Sequence, residues 1–164
     1  FLYSRSIRDN IALARRDSTD DELQIASRVA CIHESILEFD LGYDTLVGER
    51  GVTLSGGQRQ RVAIARALLQ QPDILVLDDA LSAVDTRTER LILEALRDRR
   101  GSQTTIVIAH RLSTLMQADQ IIVLEHGRIV QRGTHAALVK EDGMYRRLWD
   151  IQTTIESTDG QGAA

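Results

Sequence analysis

Leu54-Ser55-Gly56-Gly57-Gln58 opens a helical pattern, and Ile74-Leu75-Val76-Leu77-Asp78-Asp79 follows it beyond a single proline, Pro72. The first stretch places a serine at an N-cap position with a glutamine three residues on, the spacing of a capping box. Two glycines directly after a cap weaken a helix start. They also let another group approach the backbone closely. Bare N–H groups at a helix N-terminus beside a serine hydroxyl make an anion site, with phosphate the obvious occupant. A cap alone and a cap plus ligand site both stay open at this point. The second stretch is a continuous apolar run ending in two carboxylates, and it predicts a strand buried on both faces, as in a parallel sheet.

Upstream of Leu54 the chain reads as helical. Ser6 caps a short helix reaching about Ala14, with Asp9 in its first turn. Thr19-Asp20-Asp21-Glu22 opens a second one. Its apolar residues Leu23, Ile25, Ala26, Val29, Ala30 and Ile32 follow a period near 3.6, and Ile36 and Leu37 continue it towards Asp40. Residues 41–53 form a loop punctuated by Gly42, Gly48 and Gly51. The helix that starts at Gly56 runs to about Gln70 and stops before Pro72.

Downstream of Asp79 strands and helices alternate. Asp85 caps a helix carrying Leu91, Ile92, Ala95 and Leu96, which Gly101 closes. Thr104-Thr105-Ile106-Val107-Ile108-Ala109 is a second buried strand, ending at His110. A short helix over residues 112–117 follows. Two strands over 120–124 and 128–132 are joined by a turn at His126-Gly127, a hairpin signal. Helices over 134–140 and 143–153 come last. The fold class is α/β, organised as a helical part over residues 1–72, a strand-bearing part over 73–153 and an unstructured tail over 154–164. In open α/β sheets ligands sit outside the carboxyl ends of the strands. Asp78, Asp79 and His110 all fall at such ends.

Composition removes several function classes. The 164 residues carry 20 basic and 24 acidic side chains, a net charge of −4, which disfavours nucleic acid as a partner. Aromatic residues make up 4%, too few for a base-stacking platform. Cys31 is the single cysteine, so no disulfide partner exists within the chain and the residue reads as a small buried apolar group. No apolar run reaches the length of a membrane span, and the first residues do not read as a signal peptide.

Four motifs in order carry a family resemblance. Leu54-Ser55-Gly56-Gly57-Gln58, continued by Arg59-Gln60-Arg61-Val62-Ala63-Ile64-Ala65-Arg66-Ala67-Leu68, resembles the signature motif and helix of ATP-binding cassette (ABC) proteins. Ile74-Leu75-Val76-Leu77-Asp78-Asp79 is similar to the Walker B strand, whose acid holds Mg²⁺ in P-loop nucleotide hydrolases. Ser82-Ala83-Val84-Asp85 resembles the D-loop, and Ala109-His110-Arg111 the switch histidine. Val47-Gly48-Glu49-Arg50-Gly51 resembles the X-loop of exporters, which touches the coupling helices of the transmembrane domain. The resemblance covers residues 1–153 and is nearest to bacterial multidrug-resistance-like half-transporters that work as heterodimers.

The resemblance implies a partial P-loop NTPase core, with a mostly parallel sheet, beside a helical signature subdomain. It implies ATP and Mg²⁺ as cofactors and a second ABC cassette, of a heterodimeric partner, as the other half of each ATP site. Leu54, Ser55, Gly56, Gly57 and Gln58 would bind nucleotide held by that partner. Asp78 would be the metal ligand, Asp79 and His110 the catalytic pair, and Ser82 and Asp85 the D-loop at the seam. Val47, Gly48, Glu49 and Arg50 would couple to the membrane helices at the cytoplasmic face of the membrane. The function implied is ATP hydrolysis powering efflux of a drug, lipid or other amphiphile.

Two departures qualify this. No G-x-x-x-x-G-K-[ST] occurs in the 164 residues, so neither the phosphate-cradling loop nor its lysine is present. Phe1-Leu2-Tyr3-Ser4-Arg5-Ser6-Ile7-Arg8-Asp9-Asn10-Ile11 resembles the stretch after the Q-loop, so the chain is expected to be a fragment, inactive by itself. Asp79 stands where active family members usually carry glutamate. One methylene less shortens the reach of a base that must come within about 3 Å of its water, as in the degenerate half of heterodimeric exporters. The alternatives are a non-transport ABC ATPase of nucleic-acid maintenance or translation, and a module that binds ATP without turnover.

Overall fold

The structure is a computed structural model and describes residues 2–48, 51–99, 103–109 and 111–159, with the side chains of 155–159 excepted. Two compact units divide the chain, Phe1–Ile108 and Ala109–Ala164.

The first unit begins with helix α1, Ile7–Ile11, whose N-cap Ser6 accepts the Asp9 N–H. A 3₁₀ turn, Ala12–Ala14, extends it. Ile7 and Ile11, four residues apart, both point into the core, as helix geometry requires. Between them Asn10 is fully buried and fully used. Its amide donates to the Tyr3 and Ser6 carbonyls, and its Oδ1 accepts from the Tyr3 N–H and from Arg66 Nη2. Arg66 also donates through Nε to the Asn10 carbonyl. Burial pulls the Arg66 pKa down, but the pair of acceptors explains why a cation is tolerated there.

Helix α2, Asp20–Val29, starts with the reciprocal Thr19–Glu22 capping box. The periodic apolar pattern predicts one helix through Leu37. The structure instead breaks it and restarts as α3, His33–Leu37. The break is a Schellman motif: the Ile32 N–H bonds the Ser27 carbonyl and the Cys31 N–H bonds the Arg28 carbonyl. Cys31 takes the left-handed position, at φ 52°, which glycine normally fills. Cys31 is half-buried rather than fully buried, and desolvation raises its pKa. In α3, His33 is buried against Tyr43, with Nδ1 2.8 Å from the Tyr43 hydroxyl.

Helix α4, Gly56–Leu69, buries Val62, Ile64, Ala65, Leu68 and Leu69 against α1 and α2. Strand β1, Ile74–Asp78, then pairs in parallel with β2, Thr104–Ile108, in the register Ile74 to Thr104 through Asp78 to Ile108. Helix α5, Thr86–Arg97, lies between them in sequence and buries Ile92 and Leu96. The sequence predicts strands buried on both faces. Only one face is covered: Leu75 and Leu77 are 3% exposed, while Ile74, Val76, Ile106 and Ile108 are between 47% and 60% exposed. A continuous apolar run cannot distinguish these cases, because it carries the same residues on either face. One core joins the helices and the strand pair, from Ile7 through Leu96. Gly101, expected to end α5, lies outside the described residues.

The second unit has a 3₁₀ turn, Leu112–Leu115, and an antiparallel hairpin of β3, Ile121–Glu125, and β4, Arg128–Gly133. His126 and Gly127 both have positive φ, 49° and 76°, the signature of a type I′ turn. Helix α6, His135–Leu138, and helix α7, Met144–Asp159, follow. Leu112, Ile121, Leu138 and Tyr145 form its core. Helix α7 runs through residues 154–159, which sequence reading assigned to an unstructured tail; residues 160–164 lie outside the described residues.

Candidate nucleotide site

The start of α4 realises the capping box in full. The Ser55 hydroxyl accepts the Gln58 N–H at 3.2 Å, and Gln58 Oε1 accepts the Ser55 N–H at 2.9 Å. This occupies two donors of the first turn. The N–H groups of Gly56 and Gly57 make no hydrogen bond among the described residues. Ser55 is exposed, and its hydroxyl proton is free of the cap, because the oxygen serves there as acceptor. The cap therefore does not use up the helix end: one hydroxyl donor and two N–H groups remain at the positive end of a 14-residue helix.

The glycine pair has a second explanation inside the chain. A Cβ on Gly57 would lie 2.7 Å from the Ala83 carbonyl oxygen, and one on Gly56 3.3 Å from the Ala83 Cβ. The group that approaches Gly57 is thus the chain's own 82–85 loop. Leu54, just before the cap, is buried in the core and anchors the entry to the helix.

Asp78 and Asp79 stand exposed at the carboxyl end of β1. Asp79 has left the strand at φ 49°, its N–H bonded to the Ile108 carbonyl at 3.1 Å. A left-handed non-glycine backbone is costly and marks a turn held by its surroundings. Ser82 closes that turn, its N–H and hydroxyl both donating to the Asp79 carbonyl. Asp85 caps α5 by accepting the Thr88 N–H at 2.9 Å. That backbone bond holds the Asp85 carboxyl below its ordinary range. The cap is therefore present above the ordinary aspartate pKa and is lost as pH falls through the lowered one, below about pH 4. Protection of the Thr88 amide, measured against its intrinsic exchange rate, is expected to fall in that window, and Asp85→Asn, itself a good cap, is expected to abolish that pH dependence.

Among the described residues no group of three or more histidine, cysteine or acidic side chains could hold a metal ion alone. Asp78 nonetheless fits the chemistry of Mg²⁺, which typically takes one or two carboxylates and completes its shell with water and substrate phosphates. Val47 and Gly48 are fixed by a bond from the Val47 N–H to the Arg5 carbonyl and a tight approach of Gly48, at φ 103°, to Ser4. Glu49, Arg50 and His110 lie outside the described residues.

Sequence reading missed Gln60. Its Nε2 donates to the Ser82 hydroxyl at 3.0 Å and to the Asp79 carbonyl at 3.3 Å, and its Oε1 accepts the Ala83 N–H at 2.9 Å. The only signal for it in the sequence is one neutral amide between the cations Arg59 and Arg61.

Comparisons with known proteins identify the family. A family profile described as ABC transporter matches residues 2–82. The Multidrug resistance-like ATP-binding protein MdlA of Escherichia coli (strain K12) is 52% identical over 159 residues, covering 97% of this chain and 27% of that protein. The ATP-binding cassette sub-family B member 6 of Xenopus tropicalis is 52% identical over 151 residues, covering 92% and 18%. A solved structure of a bacterial Atm1-family ABC exporter with ATP bound superposes with a TM-score of 0.86 at 46% identity, covering 92% of this chain and 26% of that one. The chain thus spans between 18% and 27% of the length of these relatives. No helix among the described residues is long and apolar enough to cross a membrane. The chain belongs to the ABC transporter family, as part of an ATP-binding domain homologous to those of multidrug-type exporters.

Proposed function

We propose that this chain works in an ABC exporter as the half of a cassette that completes the ATP site of a second cassette. The observation that carries the reading is the start of α4, where the cap leaves one hydroxyl proton and two N–H groups without a hydrogen bond at the helix's positive end. Neither such a surface nor a phosphate-cradling loop encloses a triphosphate alone, so the nucleotide lies between two chains. Ser55, Gly56 and Gly57 donate to its phosphates, Gln58 keeps the cap closed, and Leu54 holds the segment in place. The readout is the ATPase rate of the whole exporter carrying Ser55→Arg.

In this chain's own site Asp78 would hold Mg²⁺, which when bound neutralises charge on the phosphates. Asp79 orients or deprotonates the attacking water weakly, for want of one methylene, and His110 meets the γ-phosphate. Ser82 and Asp85 lie at the seam with the second cassette, which is a heterodimeric partner. Val47, Gly48, Glu49 and Arg50 pass closure to coupling helices at the cytoplasmic face of the membrane. By itself the chain does not turn over ATP, and the open apolar face of Ile74, Val76, Ile106 and Ile108 makes it prone to associate.

The assignment of Asp79 has its own test in the heterodimer. Asp79→Asn is expected to change turnover by less than about twofold, whereas glutamine for the corresponding glutamate of the second cassette costs about 100-fold or more. The reverse pattern assigns hydrolysis to this chain's site. A non-transport ATPase is not favoured, since the relatives named above include multidrug-type proteins and an exporter.

A further inference from the structure

We infer that Gln60 is a positioning residue for ATP turnover, a clamp that fastens the acidic turn after β1 to the helix whose start faces the partner's nucleotide. The inference rests on the reading proposed above and extends it to a residue outside the signature segment.

Three hydrogen bonds from one amide reach three consecutive features of the turn: the Asp79 carbonyl, the Ser82 hydroxyl and the Ala83 N–H. They span 19 to 23 residues of sequence, so they are tertiary ties rather than local turn bonds. The turn needs such ties, because Asp79 sits at φ 49° and relaxes to ordinary backbone unless its surroundings hold it. Rotation at Asp79 would release the loop through Ser82 and Ala83 that leads to Asp85 and packs on Gly57. The same ties press Ala83 onto Gly57, where the carbonyl oxygen leaves no room for a Cβ. Gln60 lies one turn below Ser55, Gly56 and Gly57 on the same helix. The donors offered to one nucleotide and the acids offered to the other therefore share one body, with Gln60 as the cross-brace. Its side chain is half-exposed, so its value lies in geometry rather than in burial, and its loss should leave the core intact.

The test uses the full exporter with its second cassette. Gln60→Met keeps the length of the side chain and removes all three hydrogen bonds. We expect kcat to fall about tenfold, the loss typical of supporting contacts around a site, with KM for ATP within about twofold. Adding Ser82→Ala is expected to cost little more, since both changes cut one network. Gln60→Glu retains the acceptor for Ala83 and loses the donors. Its kcat is expected to fall as well, because an ionised carboxylate has no donor for the Asp79 carbonyl. Wild-type kcat in Gln60→Met overturns the inference, as do losses that multiply with Ser82→Ala or a wild-type kcat in Gln60→Glu. Ser55→Arg run beside them separates the two levels. If it abolishes turnover while Gln60→Met does not, only the clamp fails; if Ser55→Arg is also harmless, the ATP-site reading itself fails.

Discussion

Ser55→Arg in the assembled exporter is expected to lower ATP turnover about 100-fold or more, the scale of removing a preorganised donor from a developing charge. The change does three things at one point. It deletes the hydroxyl that remains free to donate after capping, it fills the approach to the Gly56 and Gly57 N–H groups, and it breaks the bond from the Gln58 N–H to Ser55 Oγ. Loss of the cap alone would cost about 1 kcal/mol of helix stability, too little to unfold a unit whose core runs from Ile7 to Leu96. Ser55→Ala separates the parts, because it loses hydroxyl and cap yet leaves the approach open. It is expected to fall between Ser55→Arg and the wild type in steady-state ATPase assays. Near wild-type turnover in Ser55→Arg is incompatible with a phosphate at this helix end.

Gly57→Ala should be the more damaging of the two glycine substitutions, by a wide margin. Its Cβ meets a backbone oxygen at 2.7 Å, and a backbone atom cannot swing aside as a side-chain tip can. Overpacking of this kind costs about 1–3 kcal/mol. The strain is delivered to the 82–85 loop, so hydrogen exchange over residues 80–86 is expected to rise and turnover to fall. Gly56→Ala meets only a methyl carbon at 3.3 Å and the end of Arg59 at 3.9 Å. Its steric cost is offset by the better helix propensity of alanine, and exchange over 80–86 is expected to stay near the wild type. Equal effects from the two substitutions would show that the Ala83 contact does not govern this loop.

Much of the site was legible because its determinants are local. Ser55 and Gln58 announce the capping box within four residues, and both of its bonds form. Pro72 and the run from Ile74 fix where α4 stops and β1 begins. Asp85 caps α5 as its position before Thr86 suggests, and His126-Gly127 makes the hairpin turn. What sequence reading missed depends on distant partners or on an unusual residue in a familiar geometry. The Schellman motif after α2 uses Cys31 where glycine would have signalled it, so periodicity ran straight through the break. Arg61 stabilises that break by donating to the Cys31 carbonyl, from 30 residues away. One-sided burial of β1 follows from what packs on it, not from its composition. Gln60 is silent in sequence because its three partners come from a turn about 20 residues downstream. The contact of Gly57 with the Ala83 carbonyl oxygen is equally silent, because it too comes from a distant loop.

A structure of the complete exporter with ATP and Mg²⁺, in its closed state, decides whether the start of α4 serves a second chain's nucleotide. The expected result is Ser55 Oγ and the Gly57 nitrogen within about 3.5 Å of phosphate oxygens on an ATP gripped by the opposite cassette. An α4 start facing bulk solvent, with each triphosphate enclosed by a single chain, is the opposite result and contradicts the proposed division of labour.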